Sequence, residues 1–421
     1  MKVMVVGGGG REHAIIKKIK ENKRVEEIFA LPGNGGIAKD ATCVDIGAKD
    51  IEAITDFAVK NGVDFAVVAP DDPLVLGAVD SLQAAGIKTF GPDKKAAIIE
   101  GSKAFSKDLM KKYGIPTAAY ETFDDMDKAM DYVKTCPVPV VVKADGLALG
   151  KGVIIAETRE EAVAAVNTIM GDRAFGDSGN KVVVEEFLTG PEVSVLSFTD
   201  GKTVVPMVSS MDHKRALDGD KGLNTGGMGT VAPNPYYTDD IAKTCMETIF
   251  KPTVEAINKE GRSFSGCLYF GLMLTPNGPK VIEYNCRFGD PECQAVMPLL
   301  SGDLASFCLH GAKGEFAPEE ISFQNGWSVC CVLASKGYPE TSHSGDAIQG
   351  LDDISNASVY HAGTKWNADK NCYETNGGRV LAVVAQGDTL SEARQRAHNE
   401  IKKIQFHGMQ RRPDIGFASF V

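Results

Sequence analysis

Zinc-type ligand spacings, long apolar runs and an excess of positive charge are all missing from this sequence. Its ten cysteines include no C-x-x-C pair, and its seven histidines show neither H-x-x-x-H nor H-E-x-x-H spacing, which argues against a zinc site. The cysteines are scattered, with only Cys330 and Cys331 adjacent, and read as buried free thiols of a reducing compartment. No stretch reaches the roughly 18 apolar residues of a membrane span. The opening MKVMVVGGGGREH lacks the longer apolar run and small-residue cleavage site of a secretory signal, so a cytoplasmic location is expected. Formal charge is −11, from 45 Lys and Arg against 56 Asp and Glu. That is the wrong sign for a protein that coats nucleic acid, and an anionic ligand must be held by a local cationic site. No Gly/Ser tract and no repeat accounts for the 45 glycines, which point to tight backbone approaches and mobile loops.

The composition, 43% hydrophobic and 24% charged over 421 residues, is that of a globular chain too long for one core. In the first hundred residues, short β-rich runs (Lys2–Val6, Ile28–Leu31, Phe65–Ala69, Lys88–Phe90) alternate with helical stretches, implying a parallel sheet covered on both faces. Ser102 caps a helix to Tyr113. Beyond Pro116 the pattern becomes α+β: strands at Val138–Lys143, Val153–Ala156 and Val182–Glu186, and a helix over Glu160–Met170. Further strands are expected at Val193–Phe198, Val204–Val208, and as an antiparallel pair at Leu268–Leu274 and Lys280–Arg287, with a long helix at Ile241–Lys259. Asp212–Pro235 reads as a long polar loop. The tail carries strands at Ser328–Ala334 and Arg379–Ala385 and a helix at Leu390–Lys403.

Four segments carry candidate chemistry. Gly7-Gly8-Gly9-Gly10-Arg11 joins a strand to a helix, a phosphate cradle in principle, or a plain tight turn. A dinucleotide fingerprint starting at Gly7 fails at Glu12 and at Leu31-Pro32, where a ribose-binding acid is expected. Lys143 ends a strand before a tip containing Gly146, Gly150, Lys151 and Gly152. This is not a P-loop, since Asp145 and Gly152 occupy its glycine and hydroxyl positions. It suits a flap over a triphosphate, or else a solvated hairpin with a snorkelling lysine. In the alternating strand Val281–Phe288, Glu283, Asn285 and Arg287 share a face. A carboxylate beside a carboxamide offers the oxygen ligands magnesium prefers, and a guanidinium just beyond can steady a transferring phosphoryl group. The same pattern also fits a half-exposed strand with a wet face. Asp212-His213-Lys214-Arg215, followed by Gly226-Gly227-Met228-Gly229, could close over an anionic substrate.

Taken in order, these residues resemble the glycinamide ribonucleotide synthetase (phosphoribosylamine–glycine ligase) family of the ATP-grasp superfamily. The resemblance spans the whole chain. It rests on Gly7–His13, Pro32-Gly33-Asn34, Glu100–Lys103, Lys143–Leu147, Glu185–Leu188 with Gly190, Asp212–Arg215, Asn224–Gly229, Glu283–Glu292, His361–Thr364 and Thr375–Arg379. It implies a multidomain α/β and α+β chain: an N-terminal parallel-sheet (pre-ATP-grasp) domain over 1–102, a two-part ATP-grasp domain over 103–326 with 120–190 as its small mobile part, and a small C-terminal β-rich domain over 327–421.

The resemblance further implies that ATP is held by Lys103, Lys143, Lys151, Gly152, Glu185, Glu186, Phe187 and Leu188, with Glu192 on the ribose. Glu283 and Asn285 would ligate Mg2+ or Mn2+. Arg287, Lys143, Asp212 and Lys214 would serve catalysis. Gly7, Gly9, Gly10, Arg11, Asn34, Asp71, Asp290, Pro291 and Glu292 would hold phosphoribosylamine and glycine. Asp71 stands where the family usually has Glu, Gly8 where Asn is common, Leu149 where Ala is, and Leu223 where Pro is. The implied activity is ligation of glycine to 5-phosphoribosylamine through glycyl phosphate, by a monomer that acts on small molecules. The rivals are another ATP-grasp ligase or carboxylase, and a nucleotide-binding protein without turnover.

Overall fold

The computed structural model describes residues 1–147 and 152–417; Leu149 and Lys151 lie outside the described residues. The N-terminal region is built on a five-stranded parallel sheet in the order Thr42–Cys43, Glu27–Pro32, Lys2–Gly7, Phe65–Val68, Lys88–Phe90. Its central strand explains the unbroken apolar run at the N-terminus. Val3 and Val5 enter one hydrophobic cluster, while Met4 and Val6 enter the other, as expected of a strand buried on both faces.

The chain then builds a small four-stranded antiparallel sheet, ordered Tyr120–Phe123, Val182–Glu186, Val140–Ala144, Val153–Ala156. The helices Met126–Val133 and Arg159–Val166, each capped by Asp125 or Thr158, close a separate small core over it. A second antiparallel sheet runs Val204–Pro206, Glu192–Asp200, Ser265–Thr275, Gly278–Asn285. The expected helix at 241–259 covers it, with a π turn at Met246–Phe250 between its α segments.

Asp212–Pro235 is not the long loop the sequence suggests. Arg215–Leu217 and Lys221–Asn224 form a hairpin, and Gly229–Ala232 is a fully buried strand. That strand pairs with Trp327–Ala334, so the five-stranded sheet of the C-terminal region runs Met211–Asp212, Gly229–Ala232, Trp327–Ala334, Arg379–Gly387, Ser358–His361. Four residues are too few for alternation to register in a sequence. The helix Leu390–Ile401 packs Ala393, Ala397 and Ile401 onto this sheet. A three-stranded sheet of Ala347–Ile348, Cys372–Thr375 and Thr364–Asn367 was also invisible in the sequence.

Candidate active site

Alternation along three strands aims the functional side chains into one cleft of about 870 Å³ between the two central sheets. In Val140–Ala144, Val140, Val142 and Ala144 fill the small core, leaving Val141 and Lys143 to face the cleft. Its neighbour Val182–Glu186 buries Val182 and Val184 in that core and turns Glu185 the same way as Lys143. Val141 pairs with Glu185 and Lys143 with Val183, so lysine and carboxylate are diagonal neighbours, and Lys143 Nζ lies 3.0 Å from Glu185. Across the cleft, Tyr284 and Cys286 are buried in the core, while Glu283, Asn285 and Arg287 line the opening. Arg287 Nη2 donates to Asn285 Oδ1 at 3.2 Å.

Charge is dense here. Burial works against ionisation of Glu283, yet Lys214, Lys143, Lys103 and Arg287 hold its carboxyl below the usual range. Burial lowers Lys103, whose Nζ donates to Gly146 O at 2.8 Å at the root of the flap. Lys214 is raised by Glu192, 3.1 Å away, against burial. Arg287 stays charged despite burial because Glu100, at 3.4 Å, and Asp71 lie beside it. Asp212 goes the other way: burial and the neighbouring Glu292 push its carboxyl well up, and its Oδ1 has no hydrogen-bond partner.

Of the remaining expected residues, Arg11, Asp71, Gly152, Glu186, Phe187, Leu188, Asp290 and Glu292 also line this cleft. Gly9 and Asn34 line a second pocket of about 570 Å³, which shares Asp290 and Arg379 with the first. Arg379 Nη2 pairs with Asp290 Oδ2 at 3.1 Å. Gly7, Gly10 and Pro291 line neither pocket. Gly7 has φ +124 and lies against the Glu12 side chain, Gly10 packs on Gln294, and Pro291 packs against Gly227. Asn34 spends its amide on Gly8 O and His361 O and its carbonyl on the Gly36 and Ile37 N–H groups.

The Gly7–Arg11 loop adopts the tied turn rather than an open anion cradle. Gly9 N–H donates to Glu12 Oε2 at 2.6 Å, and Arg11 Nε to Glu12 Oε1 at 2.6 Å. The carboxylate that disqualified a dinucleotide fingerprint thus fills the helix N-terminus from within. Arg11 Nη1 donates to Phe288 O at 3.0 Å, which ties the loop to the bend that carries Arg287; the strand before it ends at Asn285, two residues short of the expected end.

Glu100, Lys107, Tyr269 and Arg379 are among the cleft residues that received no role from the sequence. Lys107 carried a usable signal, since it follows Lys103 by one helical turn on the Lys103–Tyr113 helix. The hairpin at 215–224 flanks the cleft, with Arg215, Asp220 and Asn224 in its wall. A fully buried guanidinium anchors it from behind. Arg412 forks onto Asp414 at 2.8 and 2.6 Å and reaches Asp220 at 2.7 Å and Arg215 O at 3.1 Å. No helix among the described residues is long and apolar enough to cross a membrane.

Three family models match the chain: the phosphoribosylglycinamide synthetase N domain over residues 1–100, its ATP-grasp (A) domain over 101–293 and its C domain over 328–418. The chain is 47% identical over 415 residues to phosphoribosylamine–glycine ligase of Caldanaerobacter subterraneus subsp. tengcongensis, covering 99% of both. It is 45% identical over 416 residues to the Clostridium acetobutylicum ligase, again covering 99% of both. The crystal structure of Thermotoga maritima phosphoribosylamine–glycine ligase superposes with a TM-score of 0.86 at 32% identity, covering 99% of this chain and 100% of that one. The biotin carboxylase domain of Hydrogenobacter thermophilus 2-oxoglutarate carboxylase, solved with MgADP, shares the fold with a TM-score of 0.76 at 19% identity, over 97% of this chain and 91% of that one.

Proposed function

The chain belongs to the phosphoribosylglycinamide synthetase family, and from that premise we infer how its main cleft works. The protein is an ATP-dependent carbon–nitrogen ligase of purine biosynthesis that joins glycine to 5-phosphoribosylamine, giving glycinamide ribonucleotide, ADP and phosphate. The observation that carries the assignment of the chemistry to this cleft is the convergence of Lys103, Lys143, Glu283, Asn285 and Arg287 on one opening.

Glycine's carboxylate is a poor electrophile. Transfer of the ATP γ-phosphoryl group to a carboxylate oxygen makes glycyl phosphate and releases ADP. The amine of phosphoribosylamine then attacks the carbonyl carbon, phosphate leaves, and the amide remains. Nothing needs to be attached covalently to the protein, whose work is positioning and charge neutralisation. Lys103 and Lys143 bind phosphate oxygens, Arg287 steadies the phosphoryl group in flight, and the Glu185–Leu188 segment receives the adenine. Lys214 and Asp212 border the reacting carboxylate. Arg11, Asp71, Asp290 and Glu292 hold the two acceptor substrates at the junction with the second pocket.

ATP arrives with Mg2+ or Mn2+. Among the described residues no three His, Cys, Asp or Glu side chains gather as a metal site. Glu283, whose ion-pair contact is a distant 4.0 Å to Lys214, and Asn285 offer two hard oxygen ligands, which fits an ion completed by nucleotide phosphates and water. Held by Glu283 and Asn285, such an ion would supply positive charge to offset that of the phosphates. A cytoplasmic monomer without nucleic-acid partners accompanies this reading; the ten unpaired cysteines support a reducing compartment.

Oxygen-18 placed in glycine's carboxylate tests the route. One labelled oxygen is expected in the released phosphate. Unlabelled phosphate, with the lost carboxylate oxygen recovered in water, would eliminate the acyl phosphate.

A further inference from the structure

Lys107 is among the most deeply buried side chains of the molecule, with 2% of its surface exposed. Burying an ammonium costs several kcal/mol unless it is well paired. Its partner, Glu185 Oε2 at 2.8 Å, is not its own: the same carboxylate also faces Lys143 Nζ at 3.0 Å. Two cations therefore share one anion, and the surplus positive charge faces the cleft. Lys107 is also tied to the opposite wall. Its Nζ donates to Thr117 Oγ1 at 2.8 Å, and that hydroxyl donates to Val281 O at 2.7 Å, two positions before Glu283.

We propose that Lys107 is a positioning residue for nucleotide binding: by neutralising Glu185 it keeps Lys143 from closing into a private ion pair, so that the Lys143 charge is free for the phosphates of ATP. The proposal rests on the cleft being the ATP site. Without Lys107, Glu185 and Lys143 form a one-to-one buried pair whose attraction must be broken before phosphate can be held. With Lys107 present the nest carries a net positive charge, and an incoming polyphosphate completes it.

The groups facing Lys107 are Glu185, Lys143, Lys280, Thr117 and the Tyr120 ring. Burial, opposed by Glu185, brings Lys107 down from 10.5 to about 8. Loss of its proton at alkaline pH therefore imitates its removal, and ATP binding should weaken as pH rises through that range.

Calorimetric titration of the full chain with MgATP tests the proposal. Lys107→Met should weaken binding by about tenfold or more, given the size of a close charge interaction at intermediate dielectric. The double variant Lys107→Met/Glu185→Gln, which has no carboxylate to trap Lys143, should recover most of the loss. Lys107→Arg should stay near the unaltered affinity. In the unaltered chain the dissociation constant should rise between pH 7 and 9.5, and in Lys107→Met this rise should shrink to what Lys103, itself lowered by burial, contributes.

A Lys107→Met protein that melts normally and binds ATP like the unaltered chain overturns the proposal, as does a double variant no better than the single one. Should Lys107→Met not fold, a flat pH profile in the unaltered chain overturns it equally. Failure of the unaltered chain to bind ATP at any pH would remove the nucleotide site itself, an outcome distinct from these.

Discussion

Two buried charge clusters in this protein solve the same problem in opposite ways. Behind the cleft, the Arg412 guanidinium uses a planar fork on Asp414 and its remaining donors on Asp220 and Arg215 O. Asp414 in turn accepts the Gly219 N–H at 3.0 Å. Inside the cleft, Lys107 and Lys143 divide one carboxylate, and Asp212 Oδ1 has no hydrogen-bond partner. The first cluster is saturated by the chain and holds a hairpin in place. The second keeps unsatisfied valence in a low-dielectric pocket, where it is worth most to a charged ligand.

The largest expected effect breaks the closed cluster. Arg412→Met leaves Asp414 buried without its partner and should cost about 3–5 kcal/mol of stability by chemical denaturation; a loss below about 1 kcal/mol would mean that this cluster is no more structural than the one in the cleft. Next comes Arg287→Ala, which should lower kcat roughly 10²–10³-fold while ATP affinity changes by less than about threefold. Equal losses in both would make Arg287 a binding group only. The smallest effect has the opposite sign. Asp212 is held protonated above its ordinary range by burial and Glu292. From the unfolded aspartate value upward, the folded chain keeps a proton that the unfolded chain releases, so stability falls as pH rises toward the raised folded value. Asp212→Asn removes that penalty. It should gain about 0.5–1 kcal/mol near pH 8, a gain that shrinks on acidification, while turnover falls. A destabilised Asp212→Asn at pH 8 would show that the carboxylate is better satisfied than the cleft geometry allows.

How much of this was legible depended on how local each feature is. The N-terminal sheet follows from short apolar runs set between helical stretches, and Lys143 at the end of its strand and the shared face of Glu283, Asn285 and Arg287 follow from patterning within five to nine residues. The ordered motif set led directly to the family. What escaped was either too short or too distant. Gly229–Ala232 is a strand only because a partner lies far along the chain. Arg379 reaches Asp290 O across 89 positions, and no spacing rule brings two such residues together. Glu12 was read as an obstacle to a dinucleotide, but its positive task, binding the Gly9 N–H and Arg11, needed side-chain geometry. Asn34 was expected at a substrate, and its four hydrogen bonds to backbone groups could be seen only once the chain was folded.

The Gly229–Ala232 strand also sets a schedule for the nascent polypeptide. Gly229 pairs with Cys331 and Ala232 with Ser328, so the strand leaves the ribosome about 100 residues, or roughly 5–20 s of synthesis, before its neighbour. For that interval four residues destined for full burial have no ladder on that side to join. The stretch from residue 327 onward therefore completes a sheet begun about a hundred residues earlier, and a product truncated before residue 327 would expose a raw β edge instead of ending as a finished unit.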